Sequence, residues 1–432
     1  MNKHAIVILL LISSVKLFGQ QTLLLSDAVA AALKNNYEIL IEKNNYSVDE
    51  INYNASQNAV LPTVNLLGSD IQEFNNVNQK YSNGSEVNQK GAGSNSLSLG
   101  LAAEFPLFNG FRIYATKNKM EELLAEGENN LNAQIQNTIA AMQFQYFNVI
   151  AQQKYLSALQ QSLKLSEQRL DIAQSRKDAG LAANNEVYLA QIDMNNSRQA
   201  TAEQELIISQ AITDLNNILN FPADSTYTIE DTIILNGTIN YDVMKNMLLE
   251  NPSFIALNYA VKASAWTEKE TKSYRLPSVA LIGGYDYLIN RSDAGFFLVN
   301  QNYGPYIGVT LNVPIYNAGI YKSQYEVSQL NTENLRLQQE NLLSDLDASL
   351  YKAWISYENN LKQLELGKEN LTLAKLHADL ELERYELNQS TIIELREAQQ
   401  VFEDVNYKYV TILYNAKASE IELLRLTGKL TP

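Results

Sequence analysis

The chain of 432 residues contains no cysteine. That excludes disulfides, a thiol nucleophile, a cysteine-based zinc site and a lipid-modified N-terminal cysteine. Histidine occurs only at His4 and His377. The second lies in mid-helix sequence and reads as a surface or seam residue rather than a base or ligand. Positive charge is short: 33 Lys and Arg stand against 48 Asp and Glu, a net charge of −15. So acidic a chain is a poor nucleic-acid binder. Beyond the N-terminal segment no apolar run reaches the roughly 20 residues of a membrane-spanning helix. No paired carboxylates, Gly-rich phosphate loop or metal-ligand spacing stands out, so nothing supports an enzyme or a cofactor. Proline is scarce too, with none between Pro106 and Pro222 and none between Pro314 and Pro432.

Those proline-free stretches hold the most regular pattern in the chain. From Gly110 to Gly180 strong helix formers dominate. Ile135, Met142, Val149, Leu156, Leu163 and Leu170 follow at a spacing of seven. This keeps an apolar seam on one side of a helix and implies a left-handed supercoil. The spacing predicts a helix of about 68 residues, roughly 100 Å long.

The pattern then recurs. A shift of 208 carries the seam onto Leu343, Leu350, Tyr357, Leu364, Leu371 and Ala378, Arg176 onto Arg384, and Ala190-Gln191 onto Ala398-Gln399. Upstream a shift of 215 carries Asn36 onto Asn251 and Leu61-Pro62 onto Leu276-Pro277. The chain is a tandem duplication with an insert of variable length in each half. Residues 20–220 form the first repeat, 221–239 a linker with a β-like run at Thr232–Leu235, 240–428 the second repeat, and 429–432 a tail.

Residues 1–19 read as a secretory signal: Lys3 and His4, then an apolar run from Ala5 to Val15, then Gly19 at the cleavage point. Ser26-Asp27 is the expected N-cap of a helix running to about Gln57. Val64–Leu67 reads as extended, and the polar stretch Asp70–Asn95 as a long loop. Leu97 to Phe105 alternates apolar and polar residues, as do Val279 to Ile289 and Ile307 to Val313, with a loop at Arg291–Asn302. Pro62, Pro106, Pro277 and Pro314 mark the inner ends of these runs. Each strand is about 8 to 11 residues, the length of a tilted membrane-spanning strand. Tyr285, Tyr287, Phe296, Phe297, Tyr303 and Tyr306 are the expected interfacial aromatic girdle. The turn at Arg176–Asn185 leads into a shorter helix, Glu186–Leu219, whose counterpart is Ile393–Thr427. Four such strands fall short of the roughly eight that close a barrel, and lipid tolerates no open edge. Strands in a membrane therefore require several copies to share one barrel. A trimeric coiled-coil stalk or adhesin would also use the long helices, but has no use for two lipid-length hairpins per chain.

The doubled signposts carry a resemblance. Asn36 and Asn251, the two Leu-Pro pairs, Pro106-Leu107-Phe108-Asn109-Gly110 with Pro314-Ile315-Tyr316-Asn317-Ala318-Gly319, and both Ala-Gln pairs are similar to those of the TolC-like outer membrane efflux proteins. The resemblance covers nearly the whole chain after the signal. It implies a mixed α and β fold. Long coiled-coil helices would form a trimeric periplasmic α-barrel, and four strands per chain would enter a shared outer-membrane β-barrel. It further implies a non-enzymatic export duct in the outer membrane, a homotrimer bedded in lipid and served by a periplasmic adaptor (membrane fusion protein) and an inner-membrane pump. Gly180, Leu181 and Ala182, with Asn388, Gln389 and Ser390, match the turns that meet the adaptor. Glu394 and Glu397, and to a lesser degree Glu186, match acidic pore-constricting positions, where mutual repulsion would raise some carboxyl pKa values. Ser390 stands where members carry an arginine that latches the closed turn.

Overall fold

In the computed structural model, residues 22–430 are described. The signal segment and the last two residues lie outside them. The described residues fall into two units.

The first unit comprises the described parts of Met1–Ile41, Asn132–Asn251 and Ser344–Pro432. It holds α1 (Leu25–Asn35), α4 (Asn184–Leu219), α5 (Tyr241–Met247) and α8 (Ile392–Leu426). It also holds most of the 67-residue helices α3 (Arg112–Asp178) and α7 (Ile320–Glu386). The seam at seven-residue spacing is largely its core: Met142, Val149, Leu350 and Tyr357 are fully buried, and the intervening seam residues are half-buried. Ala28, Val29 and Ala32 of α1 pack on Ile139, Tyr146, Leu215 and Leu219. The leading helix is not continuous to Gln57. It breaks at Asn36, whose extended backbone separates α1 from α2 (Tyr37–Gln57). α1 begins one residue earlier than Ser26, with Leu24 at the cap and no side-chain cap bond. The run Thr232–Leu235 is not a strand; the strand-like contact near the linker is instead a parallel bridge of Thr22 with Thr228.

The duplication is visible at every corner. Asn36 Nδ2 donates to the carbonyl of Ile218 (3.0 Å), and Asn251 Nδ2 to that of Leu426 (2.9 Å). Each amide satisfies a carbonyl in the open last turn of a short helix. The reversals match as well: Asn220 with Gly428 and Gly180 with Asn388 all take positive φ. Gly110-Phe111 and Ala318-Gly319 do so as consecutive pairs. Each pair contains one glycine, the residue for which that backbone costs least.

The second unit comprises Glu42–Leu131 and Pro252–Leu343. It holds α6 (Pro252–Ser273) and a four-stranded antiparallel sheet in the order β1 (Thr63–Lys80), β2 (Glu86–Phe108), β3 (Ser278–Ser292) and β4 (Val299–Asn312). The stretch Asp70–Asn95 is therefore not a loop but most of a hairpin whose strands run 18 and 23 residues. Only residues 81–85 turn, and the second loop contracts to residues 293–298. Pro106 lies inside β2, at a register shift, and Pro305 sits in the edge strand β4, where a missing N–H is tolerated.

The register gives the sheet two chemically distinct faces. Leu66, Leu101, Tyr285 and Pro305 are aligned across it, as are Val64, Ala103, Gly283 and Ile307. With Leu99, Leu281, Val309 and Leu311 they make one apolar face. The other face carries Asn65, Ser98, Gly100, Glu104, Asp286, Asn290 and Thr310, interrupted by Leu67, Ile282 and Leu288. Leu66, Ile307, Val309 and Leu311 are each more than three-fifths exposed, so none of the described residues covers the apolar face there.

Candidate functional site

In the first unit the two helix-to-helix turns lie against each other. Residues 179–183 link α3 to α4, and 387–391 link α7 to α8. In the first turn the Gly180 N–H reaches the Lys177 carbonyl (2.9 Å) and the Leu181 N–H that of Arg176 (2.8 Å). Gly180, at φ +75°, allows this closure and has open space around it. Asn388 plays the same part at φ +61°, with Gln389 N–H on the Arg384 carbonyl (2.7 Å). Leu181 projects into solvent, 71% exposed. Arg176 Nη2 donates to Asn388 Oδ1 (2.6 Å), and its guanidinium lies 4.9 Å from the Tyr385 ring centre. These contacts join the two turns through Arg176.

Ser390 has a different occupation. Its hydroxyl donates to Glu381 Oε2 (2.6 Å), while Arg384 holds the other oxygen at 2.5 Å. The Ser390 bond, followed by that of Arg384, keeps the Glu381 carboxyl below the usual range. Thr391 and Glu394 form a reciprocal cap at the start of α8. The Thr391 N–H donates to Glu394 Oε2 (2.7 Å), and the Glu394 N–H to Thr391 Oγ1 (3.3 Å). That backbone bond, with the Thr391 and Ser390 hydroxyls, lowers the Glu394 pKa. Within one chain, these local donors stabilise the Glu394 anion. Glu397 is exposed one turn further on. Glu186 is half-buried and lines, with Arg176, Tyr385 and residues 388–394, a cleft of about 350 Å³. Burial raises the Tyr385 pKa, so its hydroxyl stays neutral.

Behind the turns the helices meet through polar groups that a seven-residue apolar seam does not reveal. Gln399 Nε2 donates to Ser162 O (2.9 Å) and Ser166 Oγ (2.7 Å), Ser166 and Ser197 share a hydroxyl contact at 3.0 Å, and Ser162 bonds Glu403. Arg169, 1% exposed, meets Asp193 at 2.9 Å, while its Nε and Nη1 have no partner. The two Ala-Gln pairs have diverged here: Ala190 and Ala398 are both fully buried, but Gln399 is buried and Gln191 exposed.

In the second unit Tyr285, Tyr287 and Tyr303 lie on the apolar face at its loop-ward end. The Tyr287 and Tyr303 rings are 6.4 Å apart, and Gln301 donates to the Tyr287 hydroxyl (3.2 Å). Tyr306 does not join them. It pairs with Gly284 and so occupies the polar face, its ring filling the space that glycine leaves. A period of two assigns faces only once the register is known. Phe296 and Phe297 are also off the apolar face, in the loop after β3. The exposed His377 bears on the turns only through its charge, the last of the causes that lower the Glu381 pKa.

The chain matches the outer membrane efflux protein family over residues 28–220 and 243–429. It is 21% identical to the outer membrane efflux protein BepC of Brucella suis biovar 1 (strain 1330), over 99% of this chain and 91% of that one. Its fold is similar to that of the outer membrane protein VceC of Vibrio cholerae, with a TM-score of 0.77 at 14% identity, covering 94% and 96% of the two chains. It is likewise similar to the Campylobacter jejuni CmeC outer membrane channel, with a TM-score of 0.76 at 15% identity and coverage of 94% and 87%. With both of its repeats matched, the chain belongs to the outer membrane efflux protein family.

Proposed function

We propose that three copies assemble into one outer-membrane channel, the exit duct of a tripartite export system. The sheet carries this reading: one face is apolar and uncovered, and β1 and β4 are open edges. Such edges are untenable in lipid unless neighbouring copies pair with them. The polar face then lines the pore, and Tyr285, Tyr287 and Tyr303 lie at the membrane boundary. A periplasmic adaptor meets the turns at Gly180, Leu181, Ala182, Asn388, Gln389 and Ser390, and receives cargo from an inner-membrane pump. Glu397 and Glu186 charge the periplasmic entrance. Glu394 contributes its anion there while also capping α8. Planar-bilayer recording on the purified protein tests the reading: cation-favouring conductance is expected, and folded protein that never conducts would overturn it.

A further inference from the structure

We propose that Tyr81, Phe296 and Phe297 form an aromatic collar over the outer mouth of the barrel, closed by the same residues of the other copies. The inference rests on the channel reading and adds a second constriction, built from other residues than the acidic entrance.

The β1–β2 hairpin outruns its neighbours. Its ladder continues to Lys80 paired with Glu86, whereas β3 pairs with β2 only from Ser94 onward. The excess is a two-stranded ribbon, bent by a register shift between Asn75 and Val77 and by Gly91 at φ +68°. Its end meets the β3–β4 loop, and the Tyr81 and Phe296 rings lie 6.0 Å apart. Phe297 packs edge-on to Phe296 at 5.0 Å. The loop is tied down: Asp293 N–H donates to the Gly93 carbonyl (2.9 Å), and Gly93 N–H to Asp293 Oδ2 (3.2 Å).

A cleft of about 630 Å³ lies between ribbon and loop, and Asn290 and Asn300 help to wall it. These two are aligned partners on the polar face, the face of Asp286 and Glu104. The aromatic residues therefore border the pore side of the sheet, where lipid cannot cover them. Yet Phe296 and Phe297 are 73% and 64% exposed. Exposed rings of this size mark a contact surface, and the occupant already required by the open sheet edges is another copy of the chain. The one charge on the cleft wall, Lys80, is paired with Glu86 at 2.5 Å. The collar is thus an uncharged ring of the kind that gates by expelling water.

The native chain has no cysteine, which makes a single engineered one diagnostic. In full-length trimers, Phe297→Cys is expected to give copper-phenanthroline-dependent cross-links between copies and an accompanying loss of current, both reversed by reductant. Phe296→Ser with Phe297→Ser is expected to raise open-channel conductance and abolish brief closures, and Phe297→Tyr to restore the wild-type record. Absent cross-links together with unchanged conductance in the double serine variant would overturn the collar while leaving the channel standing. Labelling of Phe297→Cys by a membrane-restricted reagent would overturn it in favour of a lipid-facing loop. Wild-type trimers that never conduct would instead sink the channel reading itself.

Discussion

Arg169 is the largest fully buried side chain of the helical unit, and it is charged. Burial lowers its pKa, Asp193 opposes that shift, and two of its N–H-bearing nitrogens have no acceptor. A buried pair contributes little net stability, but removing one partner strands the other. Arg169→Met should therefore destabilise the protein by about 3 kcal/mol, and Arg169→Met with Asp193→Leu should recover most of that loss. Thermal unfolding in detergent checks both. The site was partly legible: Ser162, Ser166, Arg169, Ala173 and Arg176 recur at intervals of four and three, the spacing of a helix face. An apolar filter passes over such a stripe. Glu394 illustrates the same limit, because its spacing identifies a helix face but not the Thr391 cap that occupies it. With its folded pKa depressed, Glu394 stabilises the start of α8 above the ordinary glutamate value of 4.5. The contribution fades as the pH falls through the lowered value. Hydrogen exchange at the first amides of α8 should accelerate over that acidic range, and Thr391→Ala should cost about 1 kcal/mol at neutral pH.

Among the elements, helices were easier to locate than strands. The seams of α3 and α7 persist for many turns, and their ends coincide with Gly180 and Asn388. Beyond Asp70 the sequence of the β1–β2 hairpin reads as a loop because its outer part has no apolar face to alternate against. Glu73, Asn75, Gln79 and Lys80 are all exposed, and Ser82-Asn83-Gly84 signals only the turn. Pairing, rather than burial, makes those residues strands. The register has a consequence for insertion into a bilayer. Leu99→Arg, on the apolar face, should cost about 2–4 kcal/mol near the membrane midplane and deplete the protein from the outer membrane. Ala102→Arg, on the polar face, should leave insertion intact and shift ion selectivity toward anions. Membrane fractionation and reversal potentials distinguish the two outcomes.

For the whole molecule, light scattering of the purified protein in detergent should give the mass of a trimer; a folded monodisperse monomer would contradict the shared barrel. Gly180→Arg should diminish export without lowering the amount of protein in the outer membrane, since that turn is solvent-exposed and open space surrounds Gly180. The duplication gives the joints at Asn36 and Asn251 a historical meaning. Both amides hold the final turn of a short helix, and both halves reverse direction at matching left-handed residues. Hairpin height and the fate of the paired glutamines have meanwhile drifted apart. What the two halves share is the backbone of their corners, positive φ at Gly180 and Asn388 and again at Asn220 and Gly428. Two separate half-length chains built on these corners would fill the place of one fused chain in a ring, and only the fused chain lets its halves differ: the first carries the longer hairpin, the second the self-capped turn.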